Sequence, residues 1–148
     1  MRQTAPVPRL PVDPDVGPGD TARWDVLAAI ALGGALGSLG RWALGEVLAG
    51  SGPFPWATFV ENVTGAFALG VLVVLAFDRW PRSRYLRPFL GVGVLGGFTT
   101  FSTYALDIRT LVADDRPLLA AGYLLATLLA GLLAAWLGMA AARRTVTT

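Results

Sequence analysis

Cysteine, histidine and lysine are all missing from the 148 residues. Without Cys or His there is no disulfide, no thiol redox chemistry, no zinc site built on those ligands and no histidine acid–base catalysis. Ordinary hydrolytic and redox enzymes are disfavoured, and no other enzyme motif is present. Charge is scarce as well. Charged residues make up 15% of the chain, against about 25% in a typical soluble domain, while 54% are hydrophobic. A single domain this poor in polar surface belongs in a membrane. All 12 basic residues are arginine and the net charge is +2, too small and too dispersed for the basic stripe of a nucleic-acid-binding domain. Nucleic acid is therefore not an expected partner.

Residues 1–23 carry five prolines and scattered charges without the apolar stretch of a signal peptide, which predicts a disordered tail. Four apolar stretches follow, over about 24–48, 56–77, 89–111 and 117–142, each long enough to span a bilayer. Gly50, Gly52, Pro53 and Pro55 break the chain between the first two. The third is rich in glycine (Gly91, Gly93, Gly96, Gly97) and continues into Thr99-Thr100, a poor composition for an unbroken helix. Residues 143–148 form a short C-terminal tail. The expected fold class is an all-α membrane protein with four transmembrane helices. Nine arginines, in the N-terminal tail, the loop carrying Arg79, Arg82, Arg84 and Arg87, and the C-terminal tail, fall on one side. Only Arg109 and Arg116 fall on the other. The positive-inside rule then places both termini in the cytoplasm of a multi-pass plasma-membrane protein. Four helices enclose little interior, so oligomerisation is expected.

Several polar residues interrupt these spans. Gly33, Gly37 and Arg41 recur every fourth residue on the first span; the glycines suit close helix packing. An arginine at depth costs about 2.5–3.5 kcal/mol on insertion scales, so Arg41 should meet a partner, a water cavity or an anion, or snorkel to the interface. On the second span Thr58, Asn62 and Gly65 share a face. Asn62 is able to donate two hydrogen bonds to an anion without carrying charge, or to bond a neighbouring helix. Glu61 points about 100° away from Asn62 and is a proton or cation site, or an acid paired with Arg41 or lying near the headgroups. The densest signal is Gly96-Gly97-Phe98-Thr99-Thr100-Phe101-Ser102-Thr103-Tyr104. Backbone unwound at membrane depth must be buried or line a cavity, where its carbonyls are able to hold a cation. Phe101 and Tyr104 would offer the positive edges of their rings to an anion. Tyr123, Thr127 and Gly131 add a thin polar strip on the last span.

Together Gly33 to Trp42, Thr58 to Gly65 and Gly96 to Thr103 resemble the small bacterial fluoride channels called Fluc or CrcB, across residues 29–140. The resemblance implies an antiparallel dual-topology dimer, a third helix broken near its middle, and two fluoride pores walled by both subunits. It implies a fluoride path along Asn62, Phe101, Ser102, Thr103, Tyr104, Tyr123 and Thr127, with Arg41 and Asp107 at the pore mouth. It also implies a structural sodium ion at the dimer interface, held by backbone carbonyls of Gly96 and Thr99. The expected function is passive fluoride export giving fluoride resistance, with lipid and an antiparallel homologue, in a homo- or heterodimer, as partners.

The chain departs from the family pattern in four places. Tyr104 replaces a phenylalanine, Asp107 a glutamate, and Gly131 a serine, while Glu61 stands at a position usually apolar. A carboxylate beside Asn62 would repel fluoride unless paired or protonated. In the family, strongly charge-biased chains tend to pair with an oppositely oriented partner, so the arginine bias points to a heterodimer. Two other readings of the residues are a proton-coupled cation or multidrug exporter using Glu61, which leaves the third-span motif unexplained, and a helical scaffold that needs only the glycine stripes.

Overall fold

The structure, a computed structural model, describes residues 24–50, 52–78 and 84–146. The proline-rich tail, Arg79 and Arg82 of the basic loop, and the last two residues lie outside them. The first helix, α1 (Trp24–Val47), is an apolar run without proline, and α2 (Trp56–Asp78) is another. The turn between them uses Gly50 and Gly52 at φ of 76° and 103°, which only glycine adopts at little cost. The third stretch has three parts: a π-helical segment Arg87–Leu95, a single turn α3 (Gly96–Phe98), and α4 (Phe101–Ala113). The chain then reverses and continues as α5 (Pro117–Val146), with Pro117 at the first position, where its missing N–H leaves no helical bond unmade. Among the described residues there is no strand.

Among the described residues four helical stretches are long and apolar enough to cross a membrane: Trp24–Val47, Trp56–Ala76, Arg87–Ala113 and Pro117–Thr145. The third begins two residues before the expected Phe89, and α5 runs past the expected end at 142 through Arg143 and Arg144. Cations favour a helix C-terminus, and arginine stems reach headgroups from inside the apolar zone.

Packing follows the small residues. The main partner of α1 is the π-helical segment, α2 packs along α5, and α4 returns onto α5, while α1 and α2 scarcely touch. A Cβ on Gly33 or Gly37 would strike the carbonyl oxygen of Phe89 or Val94; one on Gly70 or Gly138 would strike that of Ala135 or Phe67. Backbone meets backbone at both seams. Large apolar side chains mostly point outward, among them Leu36, Trp42, Leu118, Leu132 and Trp136, as hydrocarbon solvent allows. Among the described residues a compact core cluster gathers Leu111, Ala120 and Tyr123, flanked by Phe54, Phe59 and Tyr104. At the other end Asp25 accepts from Tyr85 at 2.7 Å and pairs with Arg84 at 2.8 Å. These contacts tie the start of α1 to the entry of the third span.

Candidate functional site

The site grows out of two extended residues. Thr99 (φ −83°, ψ 155°) and Thr100 (φ −147°, ψ 125°) separate α3 from α4. Two glycines followed by β-branched, hydroxyl-bearing residues favour such a break, because threonine offers the backbone side-chain partners in place of helical ones. Thr100 is the N-cap of α4: its hydroxyl oxygen accepts from the Thr103 N–H at 3.2 Å and donates to the Thr103 hydroxyl at 3.0 Å. The Ser102 hydroxyl lies 3.3 Å from the same oxygen.

Asn62 on α2 closes the other side. Its amide N–H donates to the Thr100 carbonyl at 3.0 Å, and its amide oxygen accepts from the Thr100 N–H at 2.9 Å. Both backbone groups of a residue outside helix are thereby satisfied by one side chain, as backbone at membrane depth demands. In a continuous helix the Thr100 N–H would bond the Gly96 carbonyl and the Thr103 N–H the Thr99 carbonyl. Both donors are diverted, so the Gly96 and Thr99 carbonyls lose their helical partners.

Asn62, Thr99, Thr100, Phe101, Tyr104, Thr127 and Leu128 line an open pocket of about 320 Å³. Its donors can be counted. Asn62 has two amide hydrogens, one of them engaged by Thr100. Thr127 is 8% exposed and its hydroxyl oxygen is buried with no hydrogen-bond partner. The Tyr104 hydroxyl donates to the Leu124 carbonyl at 3.0 Å, so Tyr104 brings its ring to the pocket with the phenol engaged on α5. The Phe101 ring lies 6.0 Å from that of Tyr104, and Phe101 is 80% exposed on the protein's outer face. One amide hydrogen and two ring edges, with the unpartnered Thr127 hydroxyl buried beside them, make a weakly polar site that carries no charge of its own.

Of the expected path residues, Asn62, Phe101, Tyr104 and Thr127 come together here. Ser102 and Thr103 belong instead to the cap of α4. Tyr123 is fully buried behind the pocket, its hydroxyl donating to Asp107 at 3.2 Å. Arg41, half-buried on α1, and Asp107 do not line the pocket. Gly96 and Thr99 border a second pocket of about 290 Å³ with Asn62, Gly65 and Leu69. Asn62 and Thr99 thus serve both. Thr100 was not among the expected site residues, although it lies at the centre of the arrangement. Its place inside a run of four hydroxyl-bearing residues was the available signal.

Residues 28–139 match the family described as CrcB-like protein, Camphor Resistance (CrcB). The chain is 56% identical over 119 residues to a protein of Nocardia farcinica (strain IFM 10152) named fluoride-specific ion channel FluC 2, an alignment covering 80% of this chain and 85% of that one. It is 49% identical over 120 residues to fluoride-specific ion channel FluC 1 of Streptomyces coelicolor (strain ATCC BAA-471 / A3(2) / M145), covering 80% and 78%. With fluoride-specific ion channel FluC 1 of Mycolicibacterium paratuberculosis (strain ATCC BAA-968 / K-10) the identity is 46% over 119 residues, covering 80% and 90%.

Proposed function

Since the chain belongs to the CrcB-like family, we propose that it is a fluoride-specific ion channel subunit of the cell membrane, and not an enzyme. The observation that carries this is the uncharged pocket at the interrupted third span, with the free Thr127 hydroxyl and the second Asn62 amide hydrogen in its wall. Fluoride is small and strongly hydrated, so a narrow path must replace its lost water with close donors. Amide, hydroxyl and ring edge do so without a fixed cation that would trap the ion.

The path runs along Asn62, Phe101, Tyr104 and Thr127, with Ser102 and Thr103 continuing it beside the cap. Tyr123 backs its wall, and Arg41 and Asp107 lie toward its mouth. Phe101 is exposed in one chain, which suits a path completed by a second, antiparallel subunit. The third span acts as a broken helix whose two halves meet at Thr99 and Thr100. Carbonyls without helical partners at Gly96 and Thr99 suit a hard monovalent cation, and one subunit supplies too few of them. A sodium ion shared between two subunits at these carbonyls would place fixed positive charge near the anion and offset its desolvation. The tail at 1–23 remains outside the 24–142 channel body. The arginine bias supports cytoplasmic termini and pairing with an oppositely oriented homologue.

Export is passive. Hydrogen fluoride, a weak acid, crosses membranes uncharged and ionises in the cytoplasm, so a channel driven by membrane potential lets the anion out. Purified chain in liposomes, followed with a fluoride electrode beside a chloride control, is expected to release fluoride rapidly and selectively once the proper partner is present. Crosslinking that recovers only homodimers, with full release from this chain alone, would replace the heterodimer by a self-paired channel. Absence of release with any oppositely oriented homologue would overturn the channel assignment.

A further inference from the structure

Glu61 is the only charged side chain that is buried among the described residues, at 3% exposure. It sits on α2 immediately before Asn62, whose amide clamps Thr100 at the pocket. Its carboxylate makes no hydrogen bond and no ion pair among the described residues. Two elements bring charged groups toward it. Arg41 on α1 and Asp107 on α4 act on it with opposite signs, neither at bonding distance. Tyr123 on α5 has its hydroxyl committed to Asp107. The pairing with Arg41 that the sequence allowed is therefore not made.

A carboxylate in this position is at odds with an anion path. Its charge would act on fluoride through apolar surroundings that screen little, one residue from the amide that faces the pocket. A carboxyl group carrying a proton has no such effect, and burial without a partner favours the uncharged form of any carboxyl group. We propose that Glu61 is a proton-binding site behind the fluoride path, next in sequence to the path residue Asn62 but outside the pocket lining, so that the channel conducts with Glu61 protonated and is slowed by electrostatic repulsion of the anion with Glu61 ionised. The step is a plain proton equilibrium at one carboxylate oxygen. It rests on the channel function proposed above and makes conduction a function of pH on whichever side of the membrane reaches Glu61.

The sign follows directly. Raising pH removes the proton and lowers the current, approaching about tenfold per pH unit once most of the carboxyls are ionised. The test compares fluoride currents of the full-length chain, reconstituted with its partner in planar bilayers, from about pH 4.5, near the ordinary glutamate range, to about pH 9. The variant is Glu61→Gln, which has the same shape and no titration. Wild type should lose current severalfold across the range, whereas Glu61→Gln should stay flat at the level that wild type reaches at low pH. The same slope in Glu61→Gln as in wild type, or no slope in wild type, would overturn the proposal. Infrared difference spectroscopy provides a readout independent of conduction: a neutral-carboxyl C=O band that titrates in wild type and is missing from Glu61→Gln. If that band titrates while no fluoride current appears at any pH, the channel assignment fails and the proton site stands. If the band is absent, the proton site is wrong whatever the current does.

Discussion

The two halves of the third span are held by opposite means. The first half, the π-helical segment with α3, lies against α1 where glycines let the two backbones approach closely. A Cβ on Gly93 would come within 2.8 Å of the Ile30 carbonyl oxygen, and one on Gly97 within 2.5 Å of that of Gly34. Such a seam derives its stability from dispersion at close range. The second half is held by side chains: Asn62 on Thr100, Tyr104 on Leu124, and Tyr123 on Asp107. Hydrogen bonds set its orientation. Because Asn carries two amide hydrogens and Thr127 finds no partner, donors remain for a ligand. The close-packed seam and the hydrogen-bonded one thus lie on different parts of the same span.

Substitutions that add or remove one group sharpen that contrast. The largest effect is expected at the glycine seam. In Gly37→Ala the new methyl meets the Val94 carbonyl and the Phe98 backbone nitrogen, and neither is a side chain able to turn aside. The variant should fail to give monodisperse, thermally stable protein in detergent, whereas Gly34→Ala, with nothing within 4 Å, should behave as wild type. Equal behaviour of the two would show that the seam is looser than its geometry. Next comes Asn62→Ala, which strips both partners from the Thr100 backbone. Membrane hydrogen bonds contribute about 0.6 kcal/mol on average and up to about 1.7, so a loss of roughly 1–3 kcal/mol in denaturation assays is expected, together with fluoride conduction.

Tyr123→Phe removes a single bond to Asp107 from the compact core and should cost about 0.6 kcal/mol, with the fold intact. The smallest change in stability belongs to Thr127→Val. Its hydroxyl has no partner to lose, so melting should be unchanged or slightly improved while fluoride flux falls. A stability loss equal to that of Asn62→Ala would mean that the hydroxyl has a structural role. Full flux in Thr127→Val would remove it from the path.

The four spans were legible because length and apolarity suffice to define them, and the turn at residues 50–53 because glycine adopts positive φ at little cost. The Gly33–Gly37 seam was visible as a stripe of fixed spacing. The seam between α2 and α5 was not, since Gly70 and Gly138 are isolated glycines 68 positions apart, and spacing along one helix says nothing about a partner. Asn62 was singled out by its residue type. Its bidentate hold on Thr100 depends on which residue of another span stands opposite, as does the placement of Ser102 and Thr103 in the cap. Arg41 shared a stripe with Gly33 and Gly37, yet the pocket forms elsewhere.

The sequence alone determined the class of this protein: helical, four times across a membrane, without the residues for redox, zinc or histidine chemistry. Those properties are sums over composition and one-dimensional pattern. It also marked the region around Thr99 as unfit for continuous helix, since propensity acts locally. Only the tertiary structure decided where the unsatisfied backbone groups would go. A hydrogen bond needs its partner at 3 Å in a given direction, and the chain brings Asn62 to Thr100 across 38 positions while leaving Thr127 without a partner and Glu61 buried without one. Local preference makes the break, and three-dimensional pairing turns it into a site.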